Sequence, residues 1–304
     1  MTTVAARPSA LRIWLLAIRP ATLPAALSGV VVGLGAALSV GTPFRVDTAV
    51  GCLAVALLLQ VTANLSNDLS DFRKGADTPD RTGPLRVAAA GFVTPRQLEV
   101  AIAIVIGLAS VVGLWLATVG GPVLLIIGIL AVIAALAYTG GPWAYGYRGL
   151  GEVFVFLFFG FVAVVGTAYL QAGRVDPVFW VAAVPVGALT TAILVVNNLR
   201  DIPTDALAGK RTLAVMLGVR RTRLEYAALL LVAFIVPVVL VAAGRGLAVL
   251  LPLVALPVAS PLLRTVRTFT EPRQLNLVLK GTARLALIFG LLFAAGLTIG
   301  RAIA

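Results

Sequence analysis

Stretches of about 20 Leu, Val, Ala, Ile and Gly residues recur nine times along the chain, at 21–41, 48–66, 98–118, 122–139, 150–171, 178–198, 224–243, 246–263 and 282–300. That is the length an α-helix needs to cross about 30 Å of hydrocarbon. Polar and apolar positions do not alternate, which favours helices over a barrel. The pattern predicts an all-α integral membrane protein with nine transmembrane helices, folded as a single domain over 1–304. The first apolar run, IWLLAI, is only six residues long and is closed by Arg19 and Pro20. Residues 1–20 therefore read as a short helical segment lying on the cytoplasmic surface, not as a signal peptide.

The polar residues then orient the bundle. The 304 residues are 60% apolar and carry 24 Lys and Arg against 12 Asp and Glu, a net charge of +12. With a cytoplasmic N-terminus, twenty of the 24 basic residues fall on inside segments and only Arg45, Arg174, Arg245 and Arg301 fall outside. Moving the parity by one helix scrambles this asymmetry, so the count supports an odd number of spans in a multi-pass cell-membrane protein. The positive charge needs no nucleic acid as partner; topology and anionic lipid head groups account for it. Lone Cys52 lies inside the second span and the chain has no histidine. A disulfide framework, a cysteine metal site, imidazole-ligated haem, ordinary zinc sites and a histidine base are all excluded.

The chemistry left to the chain is that of carboxylates, amides, Lys, Arg and Tyr, and the acids are concentrated. Six of the eight aspartates lie in two inside loops, after spans two and six. Continued as helices past the hydrocarbon, these spans align Asn64 with Asp68, Asn67 with Asp71, and Asn197 with Asp201 and Asp205 at i, i+4 spacing, so each end carries a stripe of amides and carboxylates. Converging carboxylates near lipid repel one another unless neutralised. A divalent cation does this, and Mg²⁺ takes one or two carboxylates together with phosphate oxygens. Two of the three lysines, Lys74 and Lys210, follow the two stripes, beside Arg73 and Arg211. Acid and base together suit a metal and a diphosphate. A secondary transporter is the other class of reading, but transporters place ionisable groups near the midplane. Here the span interiors are nearly free of charge, with Glu152 at the start of the fifth span the nearest exception.

"NDLSDFRKGAD" and "NNLRDIPTD" resemble the two aspartate-rich motifs of the UbiA-type intramembrane prenyltransferases. "RPATLPAAL", "YTGGPWAYGYRGLGE" and "NNLRDIPTDALAGKRTLAVMLG" are similar to the branch that prenylates 1,4-dihydroxy-2-naphthoate in menaquinone synthesis. The resemblance runs from about residue 11 to the end. It implies nine helices around a central cavity under a cytoplasmic cap, with the active site on the cytoplasmic side, and an electrophilic aromatic substitution in which the naphthoate ring attacks the allylic carbon of a polyprenyl diphosphate. Asn67, Asp68, Asp71, Asp77, Asp201 and Asp205, with Asn64 beside them, would hold Mg²⁺ against the diphosphate. Lys74, Lys210, Arg211 and Arg19 would neutralise its remaining charge. Tyr138 and Tyr147 would shield the allylic cation, Arg148 would hold the acceptor carboxylate, and Glu152 and Asn198 join them as substrate contacts. Two positions depart from the family pattern: Gly75 replaces an expected aspartate, with Asp77 two residues later, and Gly209 replaces a possible third acid of the second motif. Another aromatic acceptor remains the alternative within this class.

Overall fold

The computed structural model describes residues 8–75 and 82–301, with the Arg301 side chain outside the description. Among the described residues eleven α-helices follow one another: α1 Ala10–Ile18, α2 Leu23–Ser39, α3 Val46–Arg73, α4 Pro95–Gly120, α5 Pro122–Ala137, α6 Gly151–Val155, α7 Ala163–Ala172, α8 Pro177–Leu207, α9 Leu213–Ala242, α10 Leu256–Thr268 and α11 Leu275–Arg301. A π-helical stretch, Phe156–Val162, joins α6 to α7, and a 3₁₀ stretch, Leu247–Ala255, leads into α10.

Eight helical segments among the described residues are long and apolar enough to cross a membrane. The expected span at 122–139 is present as α5, which has 16 residues. At about 1.5 Å per residue it reaches about 24 Å, short of the hydrocarbon thickness.

Local chemistry explains the breaks. Arg19 precedes Pro20, whose ring disfavours the α conformation at the residue before it; α1 ends there, with Arg19 left-handed at φ 55°, the sole non-glycine residue with positive φ among those described. Thr94 and Gln97 form a reciprocal capping box that starts α4, with Pro95 in the first turn. Gly218, at φ 73°, kinks α9 near its start.

The core lies between α2, α8, α9 and α11. α2 packs on α11, α7, α3 and α8, and α8 packs on α9. Small residues permit these approaches, as membrane helix contacts require. A Cβ on Gly29 would lie 2.7 Å from Ala163 Cβ, one on Gly33 2.6 Å from the Val164 carbonyl oxygen, and one on Gly160 2.9 Å from Gly187 Cα. Gly166 differs, since a Cβ there meets nothing within 4 Å and the residue faces the cavity described next.

Candidate active site

A cavity of about 360 Å³ is walled by α2, α3, α4, α5, the α6–α7 run and α8. Most of its wall is apolar, including Val30, Val55, Leu116, Ile127, Phe158 and Phe159, while Arg19, Asn64, Asn67, Asp71, Arg86, Asn197 and Lys210 supply polar groups. The π-helical stretch provides Phe158, Phe159 and Val162; an extra residue per turn re-aims side chains, and such stretches recur at functional sites.

The α3 stripe is continuous helix to Arg73, as its i, i+4 spacing predicted. Its members nevertheless do different work. Asn64 donates through Nδ2 to the Ile18 carbonyl at 2.8 Å and to Thr22 Oγ1 at 3.0 Å, tying the α1–α2 turn, and with it Arg19, to α3. Asn67 accepts from Thr139 Oγ1 at 2.9 Å. Asp68, 1% exposed, accepts from the backbone amides of Val87 at 3.1 Å and Ala88 at 3.2 Å. Its carboxylate thereby anchors the segment after α3. Asp71 lines the cavity, as Asn64 and Asn67 do; it accepts from Arg86 Nη2 at 2.9 Å and from the Tyr147 hydroxyl at 2.9 Å.

The second stripe lies on α8, which runs on to Leu207. Asn197 faces the cavity. Asp201 is clasped by its neighbour Arg200, through Nε at 2.8 Å and Nη2 at 2.6 Å. Arg200 is 1% exposed and also donates to Asn197 Oδ1 and Asn276 Oδ1, each at 2.9 Å. Asp205 lies 3.8 Å from Lys210 Nζ.

Tyr147 brings the two stripes together. Its ring faces Lys74 Nζ at 4.3 Å and Lys210 Nζ at 5.3 Å from the centroid, while its hydroxyl holds Asp71. The ends of α3 and α8 therefore share one locale. Lys74 Nζ also donates to the Thr139 carbonyl at 2.6 Å. Burial lowers the Lys74 ammonium from its ordinary range, Asp71 opposes that shift, and the nearby Lys210 charge adds to it.

Other expected residues divide. Tyr138 lines the cavity and meets Tyr145 edge to face at 5.4 Å. Arg148 is exposed, turned outward over the Trp143 ring at 4.9 Å, and Arg211 is also exposed. Glu152 and Asn198 sit behind the wall, joined by Asn198 Nδ2 donating to Glu152 Oε1 at 2.8 Å. Asp77 lies outside the described residues. Arg86 and Arg200 were missed as site residues: both were counted among the topology charges, although Arg200 stands beside Asp201 in the motif itself.

The donor set suits a hard cation. The available ligands are amide and carboxylate oxygens on two facing helix ends, and among the described residues no three acids, histidines or cysteines group into a complete metal cage. An ion that takes one or two carboxylates and completes its shell with water and phosphate oxygens matches that set.

An apolar cavity in a bundle of membrane-length helices, ending in carboxylates, amides and lysines, defines a membrane protein that handles a molecule with a greasy tail and a polyanionic head. Residues 26–277 match the UbiA prenyltransferase family. The 1,4-dihydroxy-2-naphthoate octaprenyltransferase of Mycobacterium tuberculosis (strain ATCC 25618 / H37Rv) is 43% identical, the alignment covering 95% of this chain and 97% of that protein. The enzyme of the same name from Escherichia coli (strain K12) is 39% identical over 95% and 96%. Among solved structures, the apo UbiA homolog from Aeropyrum pernix K1 has a TM-score of 0.68 at 17% identity, covering 90% of this chain and 97% of that one. The Archaeoglobus fulgidus UbiA homolog bound to GPP and Mg²⁺ has a TM-score of 0.65 at 17% identity, covering 94% and 99%. The chain belongs to the UbiA prenyltransferase family.

Proposed function

We propose that the protein transfers a polyprenyl group from polyprenyl diphosphate to 1,4-dihydroxy-2-naphthoate, releasing diphosphate and CO₂ and giving demethylmenaquinol in menaquinone biosynthesis. The observation that carries this reading at the level of the site is Tyr147, which draws Asp71 of the first motif and Lys210 of the second to one polar end of an apolar cavity. The naphthoate acceptor is supported by the naphthoate prenyltransferases that this chain resembles over most of its length.

In this reading the nine apolar stretches all span the cell membrane, α5 as a short ninth span, with the N-terminus and active site on the cytoplasmic side. The cavity is then central to the bundle, and residues 8–20 and the described parts of the inside loops form its cap. Asn67, Asp71, Asp201 and Asp205 would hold divalent metal, Mg²⁺ in this proposal, which supplies electrostatic stabilisation of the departing diphosphate. Asp68 keeps the segment after α3 in place beside it. Lys74, Lys210 and Arg19 take the remaining charge on the diphosphate oxygens, and Arg86 swings between Asp71 and the same oxygens. These are preorganised charges aimed at a leaving group, so the chain works by electrostatics without a covalent intermediate. Tyr138 and Phe158 present ring faces to the allylic cation, and the apolar walls keep water from it.

The test uses purified protein in lipid nanodiscs with 1,4-dihydroxy-2-naphthoate, other aromatic acceptors and donors of several lengths, products being read by mass spectrometry. Prenylated, decarboxylated naphthoate formed only with Mg²⁺ or a similar ion is expected. Undiminished turnover in excess chelator refutes the metal role, and a preference for another acceptor refutes the substrate assignment.

A further inference from the structure

Behind the cavity wall lies a second cluster of acids that diphosphate binding does not use. Glu152, at the start of α6 and 6% exposed, accepts from Asn198 of α8, which is 2% exposed. Thr191 Oγ1 lies 3.5 Å from the Glu152 carbonyl. Glu225 of α9 bears on Glu152 electrostatically from a third helix. Glu152 Oε2, Asn198 Oδ1 and Glu225 Oε2 are buried with no hydrogen-bond partner among the described residues. All three are acceptors. Leaving a buried acceptor unmatched is destabilising, and the smallest addition that supplies a donor is a proton on Glu225, which leaves Glu152 Oε2 open to accept another.

Tyr138 stands between this cluster and the cavity. Its side chain lines the cavity and presses on the residue before Glu152: a Cβ on Gly151 would lie 3.2 Å from Tyr138 Cε2 and 3.6 Å from its hydroxyl. Among charged groups, Glu152 bears most strongly on that phenol.

We propose that Glu152, supported by Asn198 and Glu225, is a proton-holding positioning residue that acts on the acceptor through Tyr138. The proposal rests on the prenyl-transfer reading above. When the ring carbon bearing the carboxylate bonds to the allylic carbon, the bond from that carbon to diphosphate oxygen breaks. The hydroxyl on the adjacent ring carbon becomes a carbonyl and loses its proton. Tyr138 takes this proton and, its hydroxyl closing on the open Glu152 Oε2, passes its own to that ionised carboxylate. Loss of CO₂ then returns an electron pair to the ring, the carbonyl becomes an oxyanion, and the proton comes back along the same path. One proton leaves and one returns, so a closed store of capacity one, shut off from water, balances the reaction.

The experiment compares wild type with Glu152→Gln, Glu152→Asp, Tyr138→Phe and the Glu152→Gln/Tyr138→Phe double variant, in nanodiscs with saturating Mg²⁺ and donor. Glu152→Gln and Tyr138→Phe should each lower kcat by about 10²-fold or more, the usual range for lost proton transfer. The double variant should fall no further than the worse single one, because both lie on one path. Donor KM should be unchanged, the solvent deuterium isotope effect on kcat should rise, and Glu152→Asp should recover part of the rate. Wild-type kcat in Glu152→Gln overturns the proposal, as does a loss that tracks thermal stability with an unaltered isotope effect, or multiplicative losses in the double variant. A wild-type protein that makes no prenylated naphthoate defeats the prenyl-transfer reading itself, whereas an active wild type with equally active variants defeats only the relay.

Discussion

Tyr147 offers the sharpest test of the active site, because two substitutions separate its two contributions. Tyr147→Phe keeps the ring beneath Lys74 and Lys210 and removes the 2.9 Å bond to Asp71. A hydrogen bond to a charged group is worth about 1.5–3 kcal/mol. Arg86 still holds the other Asp71 oxygen, so the lower figure applies and the expected loss is about tenfold. Tyr147→Leu removes the ring as well. Each ammonium over the ring contributes about 0.5–1 kcal/mol where water reaches it, and the 5.3 Å contact to Lys210 sits toward the far end of the useful range. The pair together accounts for about 1–1.5 kcal/mol, a further factor of about ten. Steady-state kinetics with the donor varied at saturating naphthoate, alongside direct binding of a non-reactive donor analogue, reads both steps. The expected order is wild type, then Phe, then Leu, with the loss in donor affinity and kcat and none in acceptor KM. Equal behaviour of the Phe and Leu variants removes the role of the ring, and a defect confined to acceptor KM refutes the placement of the diphosphate.

Three further outcomes follow from the same geometry. Asp71→Asn should cut turnover severely and raise the Mg²⁺ concentration at which the residual activity is half-maximal, whereas Asp68→Asn, which disturbs the anchor on Val87 and Ala88, should lower thermal stability and rate together without moving that concentration; a matched shift in both variants contradicts the division of labour. Because the Lys74 ammonium is lowered by burial, it loses its proton at a lower pH than a solvated lysine, so kcat/KM for the donor should fall on the alkaline side, and Lys74→Arg should displace that limb upward; an identical profile in the arginine variant removes Lys74 from it. Gly35→Ala drives a Cβ into Ala294 Cα, which should push α2 from α11 and cost about 1–3 kcal/mol by overpacking, read as a lower melting temperature in detergent; an unchanged value shows that these helices separate freely.

Much of this arrangement was legible in the chain because it rests on periodicity. The i, i+4 spacing of Asn67 with Asp71 and of Asn197 with Asp201 and Asp205 has meaning only on a helix, and α3 and α8 do continue far enough to carry both stripes. What was not legible depends on directions that no period encodes. The loop after α5 ends in a 3₁₀ turn, Tyr145–Arg148, where successive side chains diverge by about 120° at three residues per turn; Tyr147 points to Asp71 while Arg148 points out to Trp143. Arg86 looked like one more topology charge because its partner is 15 residues away and is met only where Asp68 holds the amides of Val87 and Ala88. Glu225 lay in an apolar stretch with no motif around it, and only the packing of α6, α8 and α9 gives it company.

The two arginine clasps also constrain how metal and donor arrive. Asp71 and Asp201 each already have a guanidinium partner within 2.9 Å, so neither is a bare carboxylate waiting for a cation. A divalent ion that enters alone must displace Arg86 or Arg200 and leave it buried without its partner, and breaking a buried pair costs about 3–5 kcal/mol. Diphosphate removes that cost, since its oxygens accept the displaced guanidinium and also complete the metal's shell. Metal and diphosphate should therefore bind with strong mutual dependence, and by linkage each should strengthen the other by the same factor. Titration calorimetry on protein in nanodiscs, with Mg²⁺ alone, diphosphate alone, and each in the presence of the other, measures this factor directly. Weak binding of either alone and at least a tenfold gain for the pair is expected. Replacing Arg86 by Met should strengthen binding of the metal alone and shrink the coupling. Tight binding of Mg²⁺ to the wild-type protein without diphosphate, undisturbed by that substitution, would show that the clasps do not gate the site.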